Sequence, residues 1–292
     1  MINKSSAQWA APAAACPGFP RHRRLGLAAC TALMELVCSL AAADAPATNR
    51  LSVLILSGRN NHDWRQTTPA LRRILEQTGR FTVEVTEDPS RCDRATFARC
   101  QVVVGNWSAW PDVTGRQWGP VAEQAFVDFV RGGGGFAVFH AGCATSYDWP
   151  EYQRMCCGFW DLKTTGHGPI HEFQVSFTGA PHPVTQGLAN FFIRDELWHR
   201  LGIQTNKTVL ATAFSAPDKG GSGQNEPVVM TTQFGQGRCF HLVLGHDAAT
   251  MENQAWKTLM TRGIEWAATG RVTLPPPASW PDHAAGGNPA KK

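Results

Sequence analysis

The sequence predicts an α/β fold, with a doubly wound, mostly parallel sheet and antiparallel strands added in the C-terminal half. Unbroken apolar runs of strand length, such as residues 51–57 and 101–106, are typical of parallel strands buried on both faces. Up to about residue 165 these runs alternate with segments of helical periodicity, which indicates right-handed crossovers. Beyond that point strands follow one another with few helices between them, which favours antiparallel pairing.

The individual elements follow from periodicity and from the residues that interrupt it. The predicted helices carry apolar residues on one face, and one of them stops at four successive glycines. A polar, glycine-rich stretch at 218–225 predicts a loop, and 234–238 predicts a hairpin turn. The predicted strands are 51–57, 81–86, 101–106, 136–140, 172–178, 208–214, 228–234 and 238–244, and the predicted helices are 67–78, 119–131 and 254–268.

Both ends of the chain fall outside the predicted domain, which spans residues 49–272. Residues 1–48 have the basic cluster, short apolar run and small-residue segment of an export leader, so we expect a periplasmic or extracellular protein. A disordered extension on a cytoplasmic protein is the alternative. The apolar run is too short to cross a bilayer, so an integral membrane protein is not expected. Residues 273–292 are rich in Pro, Gly and Ala and predict a disordered tail.

Charge and cysteine content exclude two classes of function. The net charge of +4 does not indicate a nucleic-acid partner, since the densest basic group, residues 21–24, belongs to the leader. Six cysteines remain in the body, and Cys92 and Cys100 are spaced for a disulfide in an exported protein, although spacing does not fix connectivity. No C-x-x-C or Cys/His finger spacing occurs, which excludes a zinc finger.

Polar residues gather where the predicted parallel strands end. The carboxyl ends of parallel strands meet at one edge of a sheet, and ligands bind there. Four strand ends each deliver hydrogen-bonding or titratable groups, which together favour a ligand site over isolated structural residues. The residues concerned are Asn60, His62 and Asp63, then Asn106 and Trp107, then His140, Gly142 and Cys143, and finally His246 and Asp247.

His140 has the setting of a nucleophile elbow, because it ends a buried strand and precedes Ala141 and Gly142. Small neighbours at such a turn allow one side chain to rise above the sheet. A histidine there can be a general base, a metal ligand or a hydrogen-bond donor, but it cannot start the acyl chemistry of Ser or Cys. We therefore expect His140→Ala to abolish function with packing nearly unchanged, whereas loss of a buried structural histidine would lower stability. We interpret Cys143 as a small buried hydrophobe.

Six motifs occur in order along the chain: 62–64 (HDW), 106–107 (NW), 133–142 (GGGFAVFHAG), 182–187 (HPVTQG) leading to 195–197 (DEL), 235–238 (GQGR) running into 244–247 (LGHD), and 262–267 (RGIEWA). Together they resemble the ThuA (trehalose utilisation) family over about residues 50–270. The resemblance implies a flavodoxin-like, class I glutamine amidotransferase-like fold for the domain. That superfamily places Cys at the elbow, where this chain has His140, so glutamine hydrolysis through a thioester is not expected. The resemblance also implies bacterial use of trehalose and related disaccharides, with oxidised 3-keto sugars as substrates.

Two further sites of interest lie outside the strand ends. Glu196 stands beside aromatic residues, where a carboxylate can serve as acid or base or accept a sugar hydroxyl; alternatively it caps a turn. His167 and His171 could join His140 and His246 at a metal ion. Their spacing is no established ligand pattern, so a polar loop is the preferred interpretation.

We interpret the chain as a carbohydrate-utilisation protein that acts on a disaccharide or 3-keto-glycoside by acid/base chemistry. Removing a proton next to a carbonyl needs only a base, an acid and a donor to the enolate. A non-catalytic sugar-binding module and a metal-dependent hydrolase are the alternatives. The expected partners are a small carbohydrate and a sugar-oxidising dehydrogenase of the same pathway; no cofactor and no metal ligand is assigned. The candidate catalytic residues are His140, Glu196 and His246, and the candidate substrate-binding residues are His62, Asp63, Asn106, Trp107, Gly142 and Asp247.

Overall fold

The computed structural model describes residues 50–112, 117–145 and 147–280, so the predicted leader lies outside the described residues. The strands are β1 (Leu51–Leu56), β2 (Phe81–Thr86), β3 (Val102–Gly105), β4 (Gly135–Phe139), β5 (Gly158–Phe159), β6 (Gly166–His167), β7 (His171–Phe177), β8 (Phe191–Asp195), β9 (Trp198–His199), β10 (Gly202–Ile203), β11 (Lys207–Phe214), β12 (Asn225–Phe234) and β13 (Gly237–Leu242). The helices are α1 (Trp64–Gln77), α2 (Arg94–Phe97), α3 (Pro120–Arg131), α4 (Pro150–Met155), α5 (Ala248–Met251) and α6 (Gln254–Thr269).

One mixed sheet organises the domain. Within the described residues it has nine strands in the order β2-β1-β3-β4-β13-β12-β11-β7-β8. The first five are parallel to one another, in the 2-1-3-4-5 order of flavodoxin-like sheets. The other four pair antiparallel, starting from the β12–β13 hairpin. The predicted α/β fold, mostly parallel with antiparallel strands in the C-terminal half, is confirmed.

The central strands are apolar because both of their faces are covered. Every residue of β3 and β4 is buried. Helix α6 packs against β3, β4 and β13, while α3 also contacts β13 and packs beside α2. Two glycines allow these close approaches: a Cβ at Gly135 would lie 2.6 Å from a carbonyl oxygen of α6, and one at Gly237 would lie 2.1 Å from a carbonyl oxygen of α3.

The predicted tail is bound to the domain over its described part. The backbone N–H groups of Thr273 and Leu274 donate to the buried Glu265 carboxylate. Further on, the Trp280 indole donates to the Ala189 carbonyl at 2.8 Å. Residues 273–280 thus form defined hydrogen bonds with the domain, and the rest of the tail lies outside the described residues.

Two expectations about cysteines and membranes can be compared with the structure. The six cysteines of the body are free thiols, so the Cys92–Cys100 disulfide is not formed. Five of them are buried and only Cys100 is partly exposed. None of the helices in the described ranges has both the length and the apolar character needed to cross a membrane.

Candidate functional site

Four side chains converge at the carboxyl edge of the parallel strands: His62, His140, Glu196 and His246. One potential ligand atom from each lies within 4.8 Å of the others. The three histidines follow β1, β4 and β13, which are strands of the parallel half. Glu196 follows β8. We call these four residues the histidine–glutamate cluster.

His140 occupies the elbow in a backbone conformation that L-residues rarely adopt, with φ at +38°. The residue is 1% exposed. Its Nδ1 lies 2.9 Å from the carbonyl oxygen of Val243, and its ring packs 4.2 Å from that of Trp198. The sequence interpretation placed this side chain above the sheet with little packing. Because it is buried and hydrogen-bonded, His140→Ala should also lower stability, by roughly 1–3 kcal/mol for the unpaired carbonyl.

His62 faces His140 across a short gap, with 3.2 Å between their Nε2 atoms. On the other side of the His62 ring, Nδ1 lies 3.3 Å from Oδ1 of Asn60. That oxygen also accepts the backbone N–H of His62 at 2.9 Å. Burial lowers the pKa of His62 to about 3, and the neighbouring His140 and His246 contribute to this lowering. The ring is therefore neutral near pH 7.

Glu196 links the cluster together. Its Oε2 lies 3.5 Å from His140 Nε2 and 3.4 Å from His246 Nδ1, and it accepts the Trp198 indole N–H at 2.7 Å. Its Oε1 lies 3.0 Å from Nδ1 of His167. Burial alone would raise the pKa of Glu196, but contacts with His140, His246 and Trp198 hold it far below its usual range. The same contact with Glu196 raises the pKa of His246. Glu196 thus belongs to the cluster and is not merely a turn cap.

Asp195 positions two members of the cluster through their backbone. Its carboxylate is fully buried and accepts N–H groups from Gly245 at 2.7 Å, Glu196 at 2.8 Å and His246 at 3.2 Å. Burial raises the pKa of Asp195, and His140 together with these donors opposes the rise. The sequence interpretation did not assign this residue, because two of its partners lie about 50 positions away. The available signal was its place in the 195–197 motif.

A cavity of about 500 Å³ opens above the cluster. His62, Glu196 and His246 reach it, and the buried His140 lies beneath them. Indole rings form part of its wall. The ring of Trp160 packs edge to face against those of Trp110 and Trp198, with 5.9 Å and 4.8 Å between ring centroids. Its volume is typical of small-molecule sites.

Two of the predicted substrate-binding residues line the cavity and also begin helices. Asp63 accepts the backbone N–H of Gln66 at the start of α1, and Asp247 accepts that of Thr250 at the start of α5. Such capping satisfies N–H groups that have no partner within the helix. Their position at the cavity is therefore also explained by helix formation.

Three other predicted residues support the cavity from outside its lining. Asn106 is buried and donates to the hydroxyls of two threonines of α1. Trp107 is 6% exposed and packs edge to face against Trp118 at 5.8 Å. At Gly142 a Cβ would lie 2.4 Å from the Gly105 carbonyl oxygen, so the residue permits close packing of the elbow on β3.

The three remaining sequence candidates, Cys143, His167 and His171, differ in whether they reach the cavity. Cys143 is fully buried, and burial raises the pKa of its thiol to about 12. His167, interpreted as a loop residue, lines the cavity and contacts Glu196. His171 lies outside this cavity lining, with its Nδ1 2.9 Å from the Pro169 carbonyl oxygen.

Comparison with known proteins agrees with the motifs. The model of the family described as "ThuA: Trehalose utilisation" matches residues 52–267. No curated protein matches the sequence. Among solved structures, a putative ThuA-like protein from Parabacteroides merdae is 30% identical, with a TM-score of 0.71 over 80% of this chain and 95% of that one.

More distant structures share the fold. A putative ThuA-like protein from Bacteroides uniformis is 18% identical, with a TM-score of 0.58 over 76% of this chain and 94% of that one. A protein from Salmonella typhimurium LT2, described as cytoplasmic, is 14% identical, with a TM-score of 0.55 over 74% of this chain and 99% of that one. On the family match over most of its domain, this chain belongs to the ThuA family.

Proposed function

We propose that this protein is a carbohydrate-processing enzyme that acts on a small saccharide in the cavity above the histidine–glutamate cluster. The observation that carries the proposal is a group of three histidines and a carboxylate at the base of a cavity with indole walls. The family's association with trehalose utilisation supports a saccharide as the substrate class. A disaccharide or its 3-keto form fits the proposed chemistry best.

The cavity wall suits a sugar ring. Trp110 and Trp160 are partly exposed and line the cavity, whereas Trp107 and Trp149 are core residues. Aromatic faces pack against the C–H faces of sugars, while polar groups bind the hydroxyls. The carboxylates of Asp63, Glu196 and Asp247 line the cavity and supply acceptors for those hydroxyls.

The cluster supplies what proton transfer next to a carbonyl requires. A 3-keto sugar carries acidic C–H bonds beside its carbonyl. A base that takes this proton and a group that stabilises the enolate oxygen are needed for each reaction, and an acid returns the proton to carbon in isomerisation or to the departing oxygen in elimination, with hydration as the reverse. A sugar-oxidising dehydrogenase would have to supply such a substrate. The ring nitrogens and the carboxylate of the cluster supply the groups that this chemistry needs.

Glutamine amidotransfer is not supported as the activity. The elbow residue is His140, and the thiol nearest in sequence, Cys143, is fully buried with a raised pKa. A thioester mechanism needs an accessible thiolate.

Turnover of defined saccharides tests the proposal. Full-length protein is incubated with trehalose, simple glucosides and their 3-keto forms, and products are followed by NMR. We expect conversion of at least one of them by wild type, loss of conversion in Glu196→Gln, and retention in the buried control Cys143→Ala. Binding without conversion would identify a sugar-binding module, and neither binding nor conversion would overturn the proposal.

We also propose that residues 1 to about 43 form a cleaved leader and that the mature protein is exported. The support is the basic cluster, apolar run and Ala-Ala-Ala segment of the sequence. The alternative is a cytoplasmic location, as described for the Salmonella protein. Determining the N-terminus of the mature protein distinguishes the two.

A further inference from the structure

We propose that His62, His140, Glu196 and His246 bind a divalent transition-metal ion at the base of the cavity. The sequence interpretation assigned no metal ligand, although it kept a metal-dependent hydrolase as an alternative. This inference deepens the proposed function, since it rests on the same cavity, but it can be tested without any saccharide.

The first argument comes from the protons on the two facing imidazoles. Nδ1 of His140 lies against the Val243 carbonyl oxygen, so it carries the ring proton and leaves a lone pair on Nε2. Nδ1 of His62 lies against Oδ1 of Asn60, which is fixed as the oxygen because it also accepts a backbone N–H. His62 therefore also has a lone pair on Nε2.

These two lone pairs point at one another across 3.2 Å. Two neutral rings in these tautomers cannot form a hydrogen bond there, so the pair repels unless a metal ion or an added proton lies between them. Donation of the outer N–H to a carbonyl or amide oxygen is also how metal-binding histidines are held in protein sites. The outer contacts of His62 and His140 have that form.

The second argument is the spacing of the donor atoms. With metal–nitrogen bonds of about 2.0–2.1 Å, two ligands of a tetrahedral ion lie about 3.3 Å apart. The nitrogen atoms of His62 and His140 are 3.2 Å apart, and Glu196 Oε2 lies 3.5 Å from His140 and 3.4 Å from His246. Three edges of the cluster thus already have the length that one shared ion requires.

The third argument is charge. Asp195 and Glu196 place two adjacent carboxylates in the interior, and among the described residues neither forms an ion pair with Lys or Arg. In that part of the chain, the basic groups that contact Glu196 are all histidines. Nδ1 of His246 is buried and lies 3.4 Å from Glu196 Oε2, without a hydrogen bond of good geometry within the described ranges. A divalent cation would neutralise the carboxylates and bind this nitrogen together with Glu196.

The donor set indicates the class of ion. Three imidazoles and one carboxylate favour Zn²⁺, Ni²⁺, Co²⁺ or Fe²⁺ over Mg²⁺ and Ca²⁺, which prefer oxygen ligands. An ion at this place would polarise a sugar carbonyl in the cavity as a Lewis acid. His167 lines the same cavity and contacts Glu196, so it would then be the histidine available for proton transfer.

Metal binding to the full-length protein tests the inference directly. Chelator-stripped wild type is titrated with Zn²⁺, Ni²⁺ and Mn²⁺ by calorimetry, and bound metal is counted by plasma mass spectrometry. We expect one transition-metal ion per chain. Asn60→Ala removes the acceptor that the outer nitrogen of the His62 ring shares with the His62 backbone N–H, and it should weaken affinity by roughly 10–100-fold. Glu196→Gln and His246→Ala each remove a ligand and should weaken affinity by more than that.

His171→Ala is the matched control, since this histidine lies outside the cluster, and its affinity should equal that of wild type. Circular dichroism confirms that each variant is folded; His246 is partly exposed, so its variant avoids the packing loss expected for His140. Failure of all three ions to bind wild type would overturn the metal site. Binding by His246→Ala and Glu196→Gln that is as tight as binding by wild type would overturn it too. Saccharide turnover by wild type that binds none of these ions would overturn the metal site and keep the enzyme, whereas a bound metal without turnover would keep the metal site and overturn the enzyme.

Discussion

Replacing Asp195 by Asn tests whether this buried carboxylate holds the cluster in place. The substitution keeps the shape of the side chain but turns one of its two acceptor oxygens into an NH₂ group. In the wild type, one oxygen accepts the N–H of Gly245 and the other accepts those of Glu196 and His246. Whichever way the amide turns, at least one backbone N–H then faces another donor.

The magnitude follows from the burial of these groups. An unsatisfied buried donor costs roughly 1–3 kcal/mol, and bonds to a charged acceptor lie towards the upper end. Asp195→Asn should therefore lower the free energy of unfolding by about 2–3 kcal/mol. Because the altered backbone carries Glu196 and His246, Zn²⁺ affinity should also fall by roughly 10–100-fold, as for other outer-sphere changes.

Urea unfolding followed by tryptophan fluorescence measures the first effect, and calorimetric titration with Zn²⁺ measures the second. Asp247→Asn is the control, because Asp247 caps α5 and Asn is an equally good N-cap. It should change stability by only about a few tenths of a kcal/mol. If Asp195→Asn were as stable as Asp247→Asn and bound Zn²⁺ like wild type, the positioning role of Asp195 would be refuted.

Three further predictions concern the cavity wall, the C-terminal segment and the N-terminus. Trp160→Ala should raise the KM for a saccharide by up to about tenfold with a smaller change in kcat, measured by steady-state kinetics, since the ring is a wall of the cavity; an unchanged KM would argue against stacking. Burial would raise the pKa of Glu265, but hydrogen bonds from Thr273 and Leu274 and the ion pair with Arg80 hold this pKa below its usual value in the folded state. The stabilising contribution of Glu265 is therefore complete above the pKa of the unfolded chain and is lost as pH falls through the lower pKa of the folded state. The loss of Tm between about pH 5 and pH 3 should therefore be smaller in Glu265→Gln than in wild type, and equal losses would contradict this assignment. Mass spectrometry of the exported protein should find its N-terminus near residue 44, and recovery of peptides from residues 5–21 in mature protein would contradict cleavage.

The parallel half of the fold was predictable because its strands are buried on both faces. The apolar run at 51–57 contains β1, and 81–86 matches β2 residue for residue. β8 was not predicted, since FFIRD is short and lacks a clean alternation. The hydrogen bonds of Thr273 and Leu274 were not predicted either, because they depend on Glu265 of α6 rather than on the composition of the segment.

In the candidate site, as in the fold, the sequence predicts what strand direction determines and misses what depends on residues far away along the chain. The strand-end rule brings His62, His140 and His246 to one edge, because strand direction alone determines where they emerge. It does not determine side-chain direction, so Asn106 was predicted at the site although its amide points to the threonines of α1. Asp195 was missed because its role depends on backbone groups of another segment.

Proton exchange on a 3-keto-glucoside in D₂O is the most direct test of the central claim that the histidine–glutamate cluster is a reactive centre. Proton NMR follows loss of the signal next to the carbonyl, with wild type and with His246→Ala, whose side chain reaches the cavity. The account predicts exchange or turnover by wild type roughly 10²–10⁴-fold faster than by the variant. Equal rates for the two proteins, with the sugar bound by both, would contradict it.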